Sequence, residues 1–315
     1  MDIHPIDRFA AVLQRSVAAR VFEGGWGDPD LVGALTADVL ETPATIAPVL
    51  GASRTTRGCR WVEGTFESPE WRLPESSRTA RFVWARPEGG EDATVVLLSA
   101  WGEHSLVPRL RMAPRLAERG IGSIILENPL YGSRRPRSGQ VITTVAEFAL
   151  MGRAVVEEAR ALMAWVQPHG LVGVGGFSMG ANTAALAGAV MPFPVAMGLL
   201  APSHSPGPVW RDGVISGAVD IEALGDEGLD RLGDALSSVS VLRFPPPDHA
   251  KHAVIIAGRR DGYVPASTTE DLAAHWPEAE VRWKDAGHGT LIWFHRGEWL
   301  EAIVASFERL RAATG

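Results

Sequence analysis

The chain has a single cysteine, Cys59, among its 315 residues. No disulfide can form within it, and a four-cysteine zinc site is excluded. Histidine, aspartate and glutamate do not cluster at metal-ligand spacing, which argues against a metallohydrolase. Long apolar runs are missing as well, since none approaches the roughly 18 residues that would suggest a membrane span. The N-terminus carries Asp2 and Asp7 before any apolar stretch, which is wrong for a secretory signal. Positive charge is not in excess: the formal net charge is −7, whereas a nucleic-acid surface normally needs a clustered basic face. Repeats and low-complexity tracts are absent. These gaps lead us to expect a soluble, cytoplasmic protein whose partner is a small molecule, with no nucleic acid, no stable membrane insertion and no cofactor. Composition leaves the oligomeric state open.

Glycine and proline are plentiful, at 34 and 22 residues, enough to punctuate many short connections. Residues 1–57 read as an N-terminal helical extension. Ile6, Phe9, Ala10, Leu13, Val17 and Val21 recur near helical spacing, so 6–22 is an amphipathic helix that packs on the domain or, alternatively, lies on a membrane surface. A second short helical pattern follows at 30–40. From residue 58 to 315 short β-type runs alternate with helical ones, the pattern of an α/β domain with a mostly parallel sheet covered on both faces. Eight strands are expected, at 58–66, 79–86, 94–99, 122–126, 171–177, 195–200, 252–257 and 280–284, the first two as an antiparallel pair. Helices are expected at 108–119, 144–167, 179–190, 267–276 and 297–312.

Two connections are too long for simple loops. Residues 128–143 bring together Arg134, Arg135 and Arg137, which read either as a site for an anionic group or as ordinary solvated charges. Residues 202–250 read as a cap over a pocket, or as a surface excursion with no catalytic role.

The decisive segment is 171–180, a strand-like run of glycine and valine that ends in Gly176-Phe-Ser178-Met-Gly180 and leads into a helical stretch. A serine at such a sharp strand-to-helix turn is exposed above the sheet, and its hydroxyl becomes a nucleophile only with a histidine to take the proton and a carboxylate to orient that histidine. His288, between Gly287 and Gly289 after the last strand, fits the general base, the glycines suiting a flexible loop. His249, His252 and His275 are the rival bases. Asp261, just beyond the preceding strand, fits the acid and gives the order Ser, acid, His; Asp285 is the rival.

Attack on a carbonyl also needs donors for the oxyanion, worth roughly 3–4 kcal/mol each. The N–H of Met179, at a helix start, is one. The other is expected from the loop after the third strand, at Trp101 or Gly102; the nearby His104 reads as a site neighbour or as a cap.

The elbow 176–180 resembles that of the α/β-hydrolases, and the chain more narrowly resembles the family of abhydrolase domain-containing protein eighteen. Gly102-Glu-His104, Leu126-Glu-Asn-Pro-Leu-Tyr-Gly132, Arg135-Pro136, Gly213-Val-Ile-Ser216 and Gly287-His288 carry the resemblance, with Glu127 to Gly132 its specific part. It implies an α/β-hydrolase fold and a serine triad. The expected chemistry is cleavage of a carboxylic ester or related acyl compound through an acyl-enzyme on Ser178. Acyl transfer by the same triad, or a non-catalytic binding module on the same fold, are the alternatives.

Overall fold

The computed structural model describes residues 3–17, 20–37, 42–136, 142–226 and 228–314. Ten strands form one sheet: β1 (Val49–Leu50), β2 (Arg54–Thr56), β3 (Cys59–Glu67), β4 (Thr79–Pro87), β5 (Ala93–Leu98), β6 (Ile121–Leu126), β7 (Leu171–Phe177), β8 (Ala196–Leu200), β9 (Val254–Gly258) and β10 (Glu280–Lys284). Their order is β1-β3-β4-β6-β5-β7-β8-β9-β10, with β2 also pairing with β3. From β6 through β10 every pairing is parallel, while β1 to β4 add an antiparallel opening. The eight expected strands are all present, and β1 and β2 add a short edge before them.

The helices are α1 (Pro5–Val17), α2 (Pro29–Ala37), α3 (Glu75–Arg78), α4 (Val107–Leu110), α5 (Ala113–Ala117), α6 (Val145–Val166), α7 (Met179–Ala189), α8 (Gly207–Asp212), α9 (Ile221–Leu224), α10 (Gly228–Ser237), α11 (Ala266–His275), α12 (His288–Phe294) and α13 (Arg296–Thr314). The helix expected over 108–119 is two short ones, because Pro114 has no N–H to continue the ladder from the first. At the other end of the scale, α6 starts on a capping box in which Thr144 Oγ1 accepts from the Glu147 N–H and the Glu147 carboxylate accepts from the Thr144 N–H. Its Met151, Val155, Ala159, Leu162 and Val166 are all buried, as their spacing requires.

Both faces of the sheet are covered. Along β5, Val96 and Leu98 join a core with α6 and α7, whereas Val95 and Leu97 join a second core with α5 and α13. A strand sends alternate side chains to opposite faces, so a run that is apolar throughout serves both layers. The parallel strands therefore end on a common C-terminal edge, where the loops after β5, β7, β9 and β10 gather. In an open parallel sheet this is the edge where ligands bind.

Candidate active site

Ser178 occupies the turn between β7 and α7 with φ 55° and ψ −119°. A positive φ at a residue with a side chain costs about 1–3 kcal/mol, which the surroundings must hold in place. Here the Ser178 N–H is tied to the Leu200 carbonyl at 2.9 Å. Close approach explains the flanking residues: a Cβ on Gly176 would lie 2.1 Å from the Gly180 carbonyl oxygen, and one on Gly180 2.6 Å from that of Leu98.

The Ser178 Oγ is 2.9 Å from His288 Nε2, and His288 Nδ1 is 2.7 Å from Asp261 Oδ2. An ionised carboxylate only accepts, so Nδ1 carries the hydrogen and Nε2 is left to accept the serine O–H. The other Asp261 oxygen, Oδ1, accepts the N–H groups of Tyr263 and Val264, both at 2.8 Å. The imidazole packs against two rings, Phe177 at 4.7 Å and Tyr263 at 5.1 Å between centroids, each tilted by 31°. Stacking of this kind limits the rotation that would break the Nε2 contact. His288 is the first residue of α12 rather than part of a flexible loop, so its backbone is fixed as well.

The rivals do not contact Ser178 or His288 through any of their hydrogen bonds. His249 donates to the Gly188 carbonyl at 2.8 Å and His275 to that of Phe244 at 2.9 Å. His252 is buried at the foot of β9, and Asp285 is exposed.

Met179 and Trp101 both border the space above Ser178. Among the described residues neither backbone N–H has a hydrogen-bond acceptor, as an anion-binding pair requires. Gly102 is corrected as a donor: its N–H is already given to the Tyr131 hydroxyl at 3.1 Å. Its actual role is conformational, with φ +72° inside a turn closed by Glu103 N–H to the Ala100 carbonyl at 3.2 Å.

That turn has a support that sequence reasoning missed. Glu103 Oε2 accepts from the Ala100 N–H at 3.2 Å, and Oε1 from Arg109 Nε at 2.8 Å. The buried Arg109 also donates to the carbonyl of Leu97 at 2.8 Å and that of Leu126 at 2.6 Å. One guanidinium thus ties the turn to the ends of β5 and β6. The ring of His104 rests on Tyr131 at 4.4 Å and does not border the cavity.

Neither described arginine of the arginine-rich connection, Arg134 or Arg135, borders the space above Ser178. Arg134 is fully buried in a bidentate pair with Glu158 at 2.6 and 2.8 Å, and donates further to the carbonyls of Ser77 and Glu127. A guanidinium so saturated has nothing left for a substrate. Arg135 does not border the cavity; it lies near His104, whose pKa is lowered by desolvation and then by that arginine's charge. Arg137 falls outside the described residues.

A cavity of about 580 Å³ opens above Ser178 and His288. Trp101, Phe148 and Trp210 form one wall, packed edge to face with centroids 5.2 to 5.6 Å apart. The segment between β8 and β9 supplies Trp210, Ile215, Leu236 and Phe244 to this space. Among the described residues the arginines that border it are Arg153 and Arg243. Among the described residues no three of His, Cys, Asp and Glu gather as metal ligands, and no helix is long and apolar enough to cross a membrane.

A parallel sheet with a serine on a strained strand-to-helix turn, and a histidine and an aspartate delivered by later loops, defines an α/β-hydrolase fold. The chain belongs to the family described as alpha/beta hydrolase domain containing 18, which matches it over residues 19–232 and 226–309. Among solved structures, acetyl xylan esterase 1 from Thermoanaerobacterium sp. JW/SL YS485 is similar with a TM-score of 0.59 and 14% identity, over 97% of this chain and 99% of that one. An esterase of Pyrococcus furiosus gives a TM-score of 0.52 and 19% identity, over 84% and 97%. The acylaminoacyl peptidase of Pyrococcus horikoshii gives 0.55 and 16%, over 84% of this chain and 42% of that one.

Proposed function

We propose that the protein is a serine hydrolase that cleaves a carboxylic ester or related acyl compound through an acyl-enzyme on Ser178. The observation that carries this reading is the unbroken hydrogen-bonded chain from Asp261 through His288 to Ser178 at the floor of an open cavity. Ser178 Oγ attacks the carbonyl carbon while its proton passes to His288 Nε2. Asp261 holds the imidazole in the required tautomer and stabilises the imidazolium. Negative charge on the carbonyl oxygen is met by the N–H groups of Met179 and Trp101, the former aided by the positive end of α7. Collapse expels the alcohol, which takes the proton from Nε2. Water then repeats the sequence on the acyl-enzyme, releasing the acid and restoring Ser178.

The aromatic wall of Trp101, Phe148 and Trp210 suits an apolar acyl or alcohol group. Residues 202–250 act as a cap, on a catalytic domain of residues 58–315 with residues 1–57 as its N-terminal extension. A fluorophosphonate probe and a panel of p-nitrophenyl esters test the reading. Wild type is expected to label and to turn over. Ser178→Ala abolishes labelling, and turnover falls roughly 10⁴- to 10⁶-fold in Ser178→Ala or His288→Ala and around 10⁴-fold in Asp261→Asn. A wild type that neither labels nor hydrolyses any ester overturns it.

A further inference from the structure

The loops that carry Asp261 and His288 are joined by a second carboxylate, which comes from the N-terminal segment. Asp7, in the first turn of α1, has no exposed surface. Its Oδ2 accepts the N–H of Gly262 at 3.0 Å and the N–H of His288 at 2.7 Å, and its Oδ1 accepts the N–H of Gly289 at 3.0 Å. Gly262 directly follows the acid, and His288 is the base. One carboxylate therefore spans the backbones of both loops, in addition to the Asp261–His288 hydrogen bond, the Arg260 N–H donated to the Ala286 carbonyl at 3.2 Å and the packing of Tyr263 on His288.

The fit around Asp7 is close. A Cβ on Gly287 would lie 2.4 Å from His4 Cβ and 2.7 Å from Asp7 Oδ2, and one on Gly262 would lie 2.6 Å from Ile3. The glycines beside the acid and the base are thus required by the approach of the N-terminal segment. That segment is fastened to the same loop by the His4 N–H, which donates to the Arg260 carbonyl at 2.9 Å.

We infer that Asp7 is a positioning residue for the Ser178–His288–Asp261 relay, which makes α1 a working part of the site. The inference rests on the hydrolase reading above. Asp7 touches neither substrate nor the reacting atoms; it acts by fixing where the His288 backbone stands relative to Asp261. Displacement of a base by about 1 Å can cost on the order of 10²-fold in rate. Removal of an interaction needed only in the transition state lowers kcat and leaves KM nearly unchanged.

The experiment compares wild type, Asp7→Ala and Asp7→Asn, with turnover of a p-nitrophenyl ester expressed per active site titrated by the fluorophosphonate. Asp7→Ala loses all three acceptors, and its kcat per titrated site is expected to fall about 100-fold with KM changed less than about threefold. Asp7→Asn keeps one acceptor oxygen and turns an amide toward an N–H donor, so its kcat falls about fivefold or more, between the other two. A merely structural role would lower the number of titratable sites and leave kcat per site unchanged, and that result overturns the inference. If Asp7→Ala does not fold, Asp7→Asn decides alone, and a wild-type kcat per site overturns the proposal. An active wild type beside unaffected variants removes the role of Asp7 only, whereas a wild type without labelling or turnover removes the hydrolase reading and this inference with it.

Discussion

The Tyr131 hydroxyl accepts the Gly102 N–H at 3.1 Å, joining the loop after β6 to the turn that carries Trp101. Burial, partly offset by this hydrogen bond and reinforced by Glu103, pushes the phenol up to about 12, so it stays protonated throughout any practical assay. Tyr131→Phe deletes the acceptor and leaves the turn less constrained. The expected outcome is a fall in kcat of about tenfold with little change in KM, since a donor displaced by a fraction of an ångström acts on the transition state alone. An unaltered alkaline limb in the pH–rate profile is expected too, because the phenol does not titrate there. Steady-state kinetics of the variant across pH check both.

Arg109 is a buried cation whose partners are Glu103 and the carbonyls of Leu97 and Leu126. Arg109→Met leaves those carbonyls unpaired and the Glu103 charge without its partner, and a cost of about 3–5 kcal/mol is expected. Urea unfolding measures it. In a double-mutant cycle with Glu103→Gln, the second substitution should cost less in the Arg109→Met background than in wild type.

The Arg134–Glu158 pair is fully buried, with both terminal guanidinium nitrogens on one carboxylate. Breaking it with Glu158→Gln is expected to lower stability by about 3–5 kcal/mol, because it strands a buried charge. Arg135→Ala, by contrast, should leave Michaelis constants for anionic and neutral esters alike within about twofold of wild type, since a side chain outside the cavity provides no differential binding. A selective rise in KM for the anionic ester in Arg135→Ala contradicts this placement.

Burial lowers the pKa of His249, whose Nε2–H is held on the Gly188 carbonyl. The folded protein therefore keeps this imidazole neutral at a pH where the unfolded chain, with a value near 6.5, already binds a proton. The unfolded state gains protons first, so stability is full above about pH 6.5 and declines as the pH falls from there through the lowered folded value. Denaturation midpoints between pH 7.5 and 5 should show that decline. His249→Gln keeps a donor for Gly188 without a titrating ring, and its curve is expected to be shallower over the same window.

The fold was legible because it is written in short-range patterns. The parallel strands β5 to β9 are mostly apolar runs bounded by glycine, proline or polar turns, whereas the edge strand β10 is half-buried and charged, and the α6 stripe keeps helical spacing over five positions. That Ser178, Asp261 and His288 meet could be anticipated for the same reason: each follows a strand in an order set by the topology, and the elbow glycines mark the turn. The stretches that carry the family resemblance also meet in space, where Gly102 and His104 contact Tyr131. Their contact was hidden while the motifs were read separately.

Misreadings came where a side chain's partner lies far along the chain. Arg134 reads as a free loop cation until Glu158 and the Ser77 carbonyl are brought beside it, and a charge meets such partners only after the core has closed. Gly287 and Gly289 read as a source of flexibility, whereas α1 packs against them and Asp7 binds their neighbour. No local pattern distinguishes Asp7 from any acidic residue in the first turn of a helix.

Residue order alone therefore determined the layers of the protein, the strained turn at Ser178 and the order of Ser178, Asp261 and His288 along the strands, because backbone preference and apolar periodicity act over a few residues. Tertiary structure decided which N–H groups already have an acceptor, that Arg134 is paired with Glu158, and that the Asp7 carboxylate joins the loops of Asp261 and His288. Those outcomes depend on hydrogen-bond partners up to 282 residues apart, whose meeting is enforced by burial of the whole core rather than by any segment of it.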